Sequence, residues 1–290
     1  MEKKMKKSLL MLLVLCLCLA ACGRSDQITS TEPDYIIDEE DENTEPPVLY
    51  FVDAHGEWHD FYLNEDVPKN EYDIRQFKLD GDRMSYGDSA APCRLGVDVS
   101  HHQGKINWKK VAKDGIDFAI LRIGYRGYGQ AGTLNPDKQF EANYKGAKAA
   151  GLDVGVYFFA QAINEEEARE EAEFVLELLG DRELDLPIVY DPESILDDDA
   201  RTDNVTGDQF TANSAEFCKT IREAGYEPMI YANMVWEAYE LDLSKLSDIP
   251  IWYADYEVRP QTPYDFKIWQ YTCQGKVAGI TGGCDINIMM

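Results

Sequence analysis

Positive charge is what this 290-residue sequence has least of: 28 Lys plus Arg stand against 54 Asp plus Glu, a formal charge of -26. Proteins that bind nucleic acid need clustered cations to displace phosphate counterions, so that class is excluded. Histidine is almost as scarce, with four in all. No HExxH pattern is present, and the adjacent His101 and His102 point in different directions, so they are assigned loop roles and no metal is expected. None of the cysteines has the close-paired spacing of a zinc site. Ser100 lacks the GxSxG setting of a serine hydrolase. The stretch Gly124-Tyr125-Arg126-Gly127-Tyr128-Gly129 has glycines but no phosphate-loop lysine and reads as a flexible loop. No repeat of fixed period is evident, and no cofactor is implied.

What is present is apolar material, 44% hydrophobic and 11% aromatic, enough for a sizeable core and against wholesale disorder. The longest apolar run comes first. Residues 1–7 hold four lysines and one glutamate, and 8–21 form an apolar run too short for a normal membrane span. The run closes on Leu19-Ala20-Ala21-Cys22-Gly23, small residues directly before a cysteine. Residues 1–21 therefore read as a bacterial lipoprotein signal, with Cys22 lipidated and the protein exported and held at the membrane facing the wall. Removing this segment, a net +3, leaves -29. Residues 22–47 are acidic, self-repelling and closed by two prolines, an extended solvated tether. Of seven cysteines, Cys16 and Cys18 leave with the signal and Cys93, Cys218, Cys273 and Cys284 remain. Cys273 and Cys284 are symmetric about Ala278-Gly279, so a hairpin there would oppose them. A disulfide and two small buried thiols are both open.

Residues 48–92 carry aromatic and β-branched runs, Leu49-Tyr50-Phe51-Val52 and Trp58-His59-Asp60-Phe61-Tyr62-Leu63, around a turn-like Asp53-Ala54-His55-Gly56. They predict a small β-rich segment, too short to stand alone and without a metal-ligand constellation. From residue 93 to 290 the pattern is rhythmic. Apolar runs at 95–99, 118–123, 154–159 and 187–190 alternate with helical spacing at 106–113, 139–150, 165–179 and 208–224. Four more runs follow at 229–231, 251–254, 268–271 and 286–288. Strands alternating with helices imply a parallel sheet covered on both faces. Eight strands with the late helices missing predict an α/β fold, a TIM-like barrel with an incomplete outer ring.

Barrel chemistry sits where parallel strands end. The first strand ends at Asp98, the fourth at Asp191-Pro192-Glu193, the sixth at Asp255, and the last begins at Asp285. Asp191 and Glu193 are two apart, so on a continuing strand they share a face with backbones ~7 Å apart. Crowded carboxylates raise one another's proton affinity, which suits a proton donor paired with an anionic group at a glycosidic bond. The plainer alternative is a solvated acidic loop beside Asp197-Asp198-Asp199. Tyr125, Tyr157, Tyr231, Trp252 and Tyr253 lie in or just after strand runs, where rings pack either against sugars or into the barrel core.

Six motifs then occur in order: Gly96-Val97-Asp98-Val99-Ser100, Ala119-Ile120-Leu121-Arg122-Ile123-Gly124, Asp191-Pro192-Glu193, Trp252-Tyr253-Ala254-Asp255, Trp269-Gln270-Tyr271 and Asp285-Ile286-Asn287. With them the chain from Leu95 onward resembles the glycoside hydrolase family 25 lysozymes, or N-acetylmuramidases. Pro192 stands where that family often has an aliphatic residue. The resemblance implies a (β/α)5(β)3 barrel that cleaves peptidoglycan between N-acetylmuramic acid and N-acetylglucosamine. Glu193 is then expected as the acid, Asp191 as the steering or attacking carboxylate, and Asp98 and Asp285 as positioning groups. Tyr125, Tyr157, Tyr231, Trp252, Tyr253, Asp255 and Gln270 are expected to contact the glycan strands, with the enzyme acting as a monomer. A chitinase-like hydrolase, which lacks support because the DxxDxDxE pattern is missing, and a catalytically silent wall-binding barrel are the rival readings.

Overall fold

The computed structural model describes residues 46–87, 93–196 and 198–290. The expected signal segment, Cys22 and the tether up to residue 45 lie outside them, as does Asp197. The described residues divide into two units, the first ending at Asn64 and the second running from Glu65 to Met290. The division falls within the expected 48–92 segment.

The first unit's described part is one antiparallel hairpin, β1 (Val48–Val52) and β2 (Trp58–Tyr62). Its turn is organised by Asp53, whose Oδ1 accepts from the His55 and Glu57 backbone N–H groups, while Oδ2 meets His59 Nε2 at 3.0 Å. Asp53, Glu57 and His59 therefore converge, their ligand-type atoms lying within 4.8 Å of one another. Spacing alone did not suggest this group, because it needs the turn to bring Asp53 across to β2.

The second unit opens with a second hairpin, β3 (Phe77–Asp80) and β4 (Arg83–Tyr86), which belongs with the barrel. Asn70 Nδ2 donates to the carbonyls of Thr262 and Tyr264, Tyr72 donates to that of Phe266, and Phe77 meets the Trp269 ring edge-on at 5.1 Å. Tyr271 donates to the Asp82 carbonyl, and Arg83 bonds Asp114. An aromatic-rich stretch too small to bury its own rings gains a core by sharing the barrel's.

The barrel strands are β5 (Arg94–Val99), β6 (Phe118–Arg126), β8 (Asp153–Ala160), β9 (Ile188–Pro192), β10 (Pro228–Asn233), β11 (Ile251–Ala254), β12 (Ile268–Gly275) and β13 (Cys284–Met289). They pair in that order and close through β5 with both β6 and β13. All neighbours are parallel except β13, which runs against β12 and β5. A short β7 (Leu134–Pro136) hooks antiparallel onto the end of β6. Helices α1 (Trp108–Lys113), α2 (Phe140–Ala150), α3 (Glu165–Leu179) and α4 (Gly207–Glu223) fill the first four connections. The fifth has only a π turn at Trp236–Glu240 and a 3-10 turn at Leu243–Leu246. An α/β barrel with an incomplete outer ring is what the sequence pattern predicts.

Caps set the helix starts. Asn107, Asn164 and Thr206 side chains each accept an N–H of the first turn, and Glu165, Glu166 and Glu167 complement the positive end of α3. Ala168, Ala172, Val175 and Leu179 are the face α3 buries. Inside the barrel Phe118, Ile120, Val189, Met229, Tyr231, Trp252, Ala254 and Ile268 form one buried cluster. Each large member contributes on the order of 2–3 kcal/mol by leaving water. Cys93, Cys218, Cys273 and Cys284 form no disulfide with one another. The ladder slips between Thr272 and Gly275, so Gly275 and not Cys273 lies opposite Cys284.

Candidate active site

Side chains alternate along a strand, so the residue two beyond an inward apolar one also points inward, one layer nearer the strand end. From Ile120 this step reaches Arg122, from Val189 it reaches Asp191, and from Ile268 it reaches Gln270. On β5 it leads from Gly96 to Asp98, and on antiparallel β13 from Met289 back through Asn287 to Asp285. Asp98 and Asp285 are direct partners in the β5–β13 ladder. A polar layer therefore caps an apolar barrel at the end where parallel strands finish.

Asp98, 5% exposed, accepts at Oδ2 from Gln270 Nε2 at 2.9 Å and Asn287 Nδ2 at 2.8 Å. Gln270 is oriented by accepting from Tyr256 at 2.9 Å and Tyr231 at 3.3 Å, and Asn287 by accepting from Trp252 Nε1 at 2.8 Å. Burial lifts the Asp98 carboxyl to about 6, against the pull of these two amides. Asp191 is buried, and its Oδ1 is an acceptor without a partner among the described residues. Burial, then repulsion from Glu193 and Asp98, pushes it well above the ordinary carboxylate range, with Arg122 pulling the other way. Glu193 is pushed up to about 7 by burial and by Asp98, again opposed by Arg122. Asp285 is raised by burial and by Asp98. Four carboxyls thus share one mouth with one guanidinium, an arrangement that keeps protons on some of them near neutrality.

Arg122 stands in one of the six motifs without an assigned role, and the structure makes it part of the site. Its Nε bonds Asp137 at 2.9 Å, its guanidinium meets His101 Nδ1, and it lies 5.1 Å from the centre of the Tyr125 ring. Asp137 also accepts from the His101 backbone and faces its ring. His101 thus shares the Asp137 carboxylate with Arg122, and His102 is pushed down to about 4, by burial first and then by its neighbours His101 and Arg122, against the pull of Asp137. The signal for Arg122 was a charge inside an otherwise apolar strand run. Tyr256 and Asn287 were missed too, because their roles depend on loop and ladder geometry.

The expected glycan contacts separate into two groups. Tyr125 and Tyr157 are partly exposed at the mouth. Tyr231 and Trp252 pack edge-on at 5.0 Å in the buried floor. Gln270 is 4% exposed and holds Asp98. Tyr253, alternating with Trp252, faces outward, is fully buried, and donates to Asp255 at 2.8 Å. Asp255 also accepts from the Glu257 and Gln261 backbones and the Gln261 side chain. These five offer little surface to a ligand: two form the floor, one orients an acid, and the Tyr253–Asp255 pair fastens the loop after β11.

Residues 97–280 match the family described as Glycosyl hydrolases family 25. The chain is 25% identical over 193 residues to the "Autolytic lysozyme" of Clostridium acetobutylicum, covering 66% of this chain and 54% of that protein. To "Lysozyme M1" of Streptomyces globisporus it is 28% identical over 219 residues, 71% of each. Among solved structures, the modular autolysin LytC of Streptococcus pneumoniae superposes with a TM-score of 0.61 at 25% identity, over 83% of this chain and 56% of that one. LytC has also been solved in complex with a synthetic peptidoglycan ligand. The chain thus spans little more than half the length of the autolytic lysozyme and of LytC.

Proposed function

The chain belongs to Glycosyl hydrolases family 25, and from that membership we propose that it is a peptidoglycan hydrolase cutting the β-1,4 bond between N-acetylmuramic acid and N-acetylglucosamine. The observation that carries this reading is the pair at the end of β9, Asp191, whose buried Oδ1 has no partner among the described residues, and Glu193, whose carboxyl is raised to about 7. A carboxyl that keeps its proton near neutrality can give it to the leaving glycosidic oxygen as the bond from the anomeric carbon breaks. The free Asp191 oxygen suits the N–H of the substrate's 2-acetamido group. Accepting that hydrogen bond pushes electron density onto the amide oxygen, which attacks the anomeric carbon and forms a cyclic intermediate. Glu193, now a carboxylate, takes a proton from water as water opens the ring, giving net retention.

In this reading Asp98 and Asp285 balance charge around the pair, and Arg122 limits how far the acids are raised. Tyr125 and Tyr157 offer ring faces to the sugars, above a floor of Tyr231 and Trp252. The signal-like residues 1–21 and Cys22 support export and attachment to the membrane by lipid, and we take the working form to be a monomer.

Mass analysis of fragments released from purified peptidoglycan tests the activity. Fragments with reducing N-acetylmuramic acid ends are expected. Reducing N-acetylglucosamine ends would place the chain with a different glycosidase class, and binding without fragments would make it a silent wall-binding barrel. De-N-acetylated muramic sugar should be cut poorly and a thiazoline mimic should inhibit. A glycosyl ester trapped on Asp191 would replace amide participation with direct attack, and inversion would sink both.

A further inference from the structure

Glu193 stands just past the end of β9, where the sheet no longer holds the chain. Its carboxyl is tuned by burial and by the charges of Asp98 and Arg122, and a firm hydrogen bond to the residue is made at its backbone. Gln161, the first residue after β8 and 1% exposed, donates from Nε2 to the Glu193 carbonyl oxygen at 2.7 Å. The amide is oriented from its other end, since Thr202 Oγ1 donates to Gln161 Oε1 at 3.1 Å. Gln161 is also held through its backbone, its N–H reaching Glu171 Oε1 at 3.0 Å. Glu171 in turn accepts from Arg126 Nε at 2.8 Å, and Asn213 Nδ2 donates to the carbonyl of Ala162 next door at 2.9 Å. Gln161, Glu171, Arg126, Thr202 and Asn213 are all buried.

Burying this many polar groups costs free energy that an apolar residue at position 161 would not incur, even when each is paired. The chain from Arg126 through Glu171 and Gln161 ends on the backbone of the proton donor, and displacing a catalytic group by about 1 Å can cost on the order of 100-fold in rate. We propose that Gln161 is a positioning residue that fixes Glu193 for proton transfer, with Thr202 and Glu171 holding Gln161 in turn. The inference rests on Glu193 being the acid.

The test is a cycle in the full-length chain between Gln161→Met, which keeps the size and loses the donor, and Glu193→Gln. Gln161→Met alone should lower kcat roughly 10- to 100-fold and leave KM within about twofold. It should also move the basic limb of the kcat profile to lower pH, because a carboxyl released toward solvent loses part of the burial that raises it. In the Glu193→Gln background the same change should cost less than about twofold, since there is no acid left to position. Thr202→Val should act in the same direction more weakly. An equal loss in both backgrounds would make Gln161 a general structural residue and overturn the proposal, as would an unchanged kcat and pH profile for Gln161→Met. Near-normal turnover of Glu193→Gln alone would overturn the reading of Glu193 itself, and this inference with it.

Discussion

Asp191 carries an oxygen that the described protein does not satisfy, and such a group costs stability until a ligand supplies the missing donor. The same holds for the protons of its neighbours. Glu193 should be the donor to the leaving group, so Glu193→Gln should keep fold and glycan affinity and lose about 100-fold or more in turnover, checked by kcat beside a binding isotherm. The wild-type rate should fall as pH rises through about 7, where Glu193 loses its proton. For stability the sign runs the same way. A carboxyl whose folded pKa is raised binds more protons folded than unfolded, so its contribution is greatest below its ordinary pKa and is lost as pH rises toward the folded value. For Glu193 that window is from about 4.5 to about 7. Asp191→Asn, which removes a raised acid beside Glu193, should therefore raise Tm by roughly 2–4 °C at pH 8 and by less at pH 5. A larger gain at pH 5 than at pH 8 in thermal melts would contradict the assigned direction.

At the level of elements, the strands were legible because each is an apolar run covered on both faces, and the helices because α3 and α4 keep an apolar stripe with capping residues before it. Where these signals fade, composition alone does not mark the element. β7 has three residues, the fifth connection is built from π and 3-10 turns, and the β12–β13 slip that parts Cys273 from Cys284 leaves no trace in composition. The carboxylates of the mouth are legible because each stands where an apolar run ends. The roles of Arg122, Asn287 and Gln161 are not, because each acts through a partner distant in sequence. Gly96 shows how tightly these elements fit: a Cβ there would collide with the edge of the Phe118 ring. Gly96 sits one inward step below Asp98, so Gly96→Ala should push the Phe118 ring or the β5 backbone, destabilise by about 1–3 kcal/mol, and lower turnover by shifting Asp98. Denaturation midpoints together with kcat measure both. Unchanged values would mean that the ring moves aside freely.

For the molecule as a whole, charge and attachment have to be weighed together. The chain carries -26, and -29 if residues 1–21 are removed, whereas bacterial wall polymers are themselves largely anionic. If the wall is the substrate, attraction over distance cannot bring the chain to it, and the field should slow their encounter. Attachment near the wall would offset this by holding the enzyme at high local concentration, which gives the Cys22 reading a physical purpose. A fatty-acid analogue supplied to growing cells should label the protein, and Cys22→Ser should abolish the label and release the chain. The released form should then feel the repulsion directly. Its digestion of intact wall should speed up severalfold as ionic strength rises from about 0.01 to about 0.15 M, where the screening length falls from about 30 to about 8 Å. On short glycan fragments stripped of anionic polymer the same change of salt should matter little. Digestion of intact wall that slows with salt would mean that local cations such as Arg122 dominate the encounter, and that net charge is not what attachment at Cys22 would have to overcome.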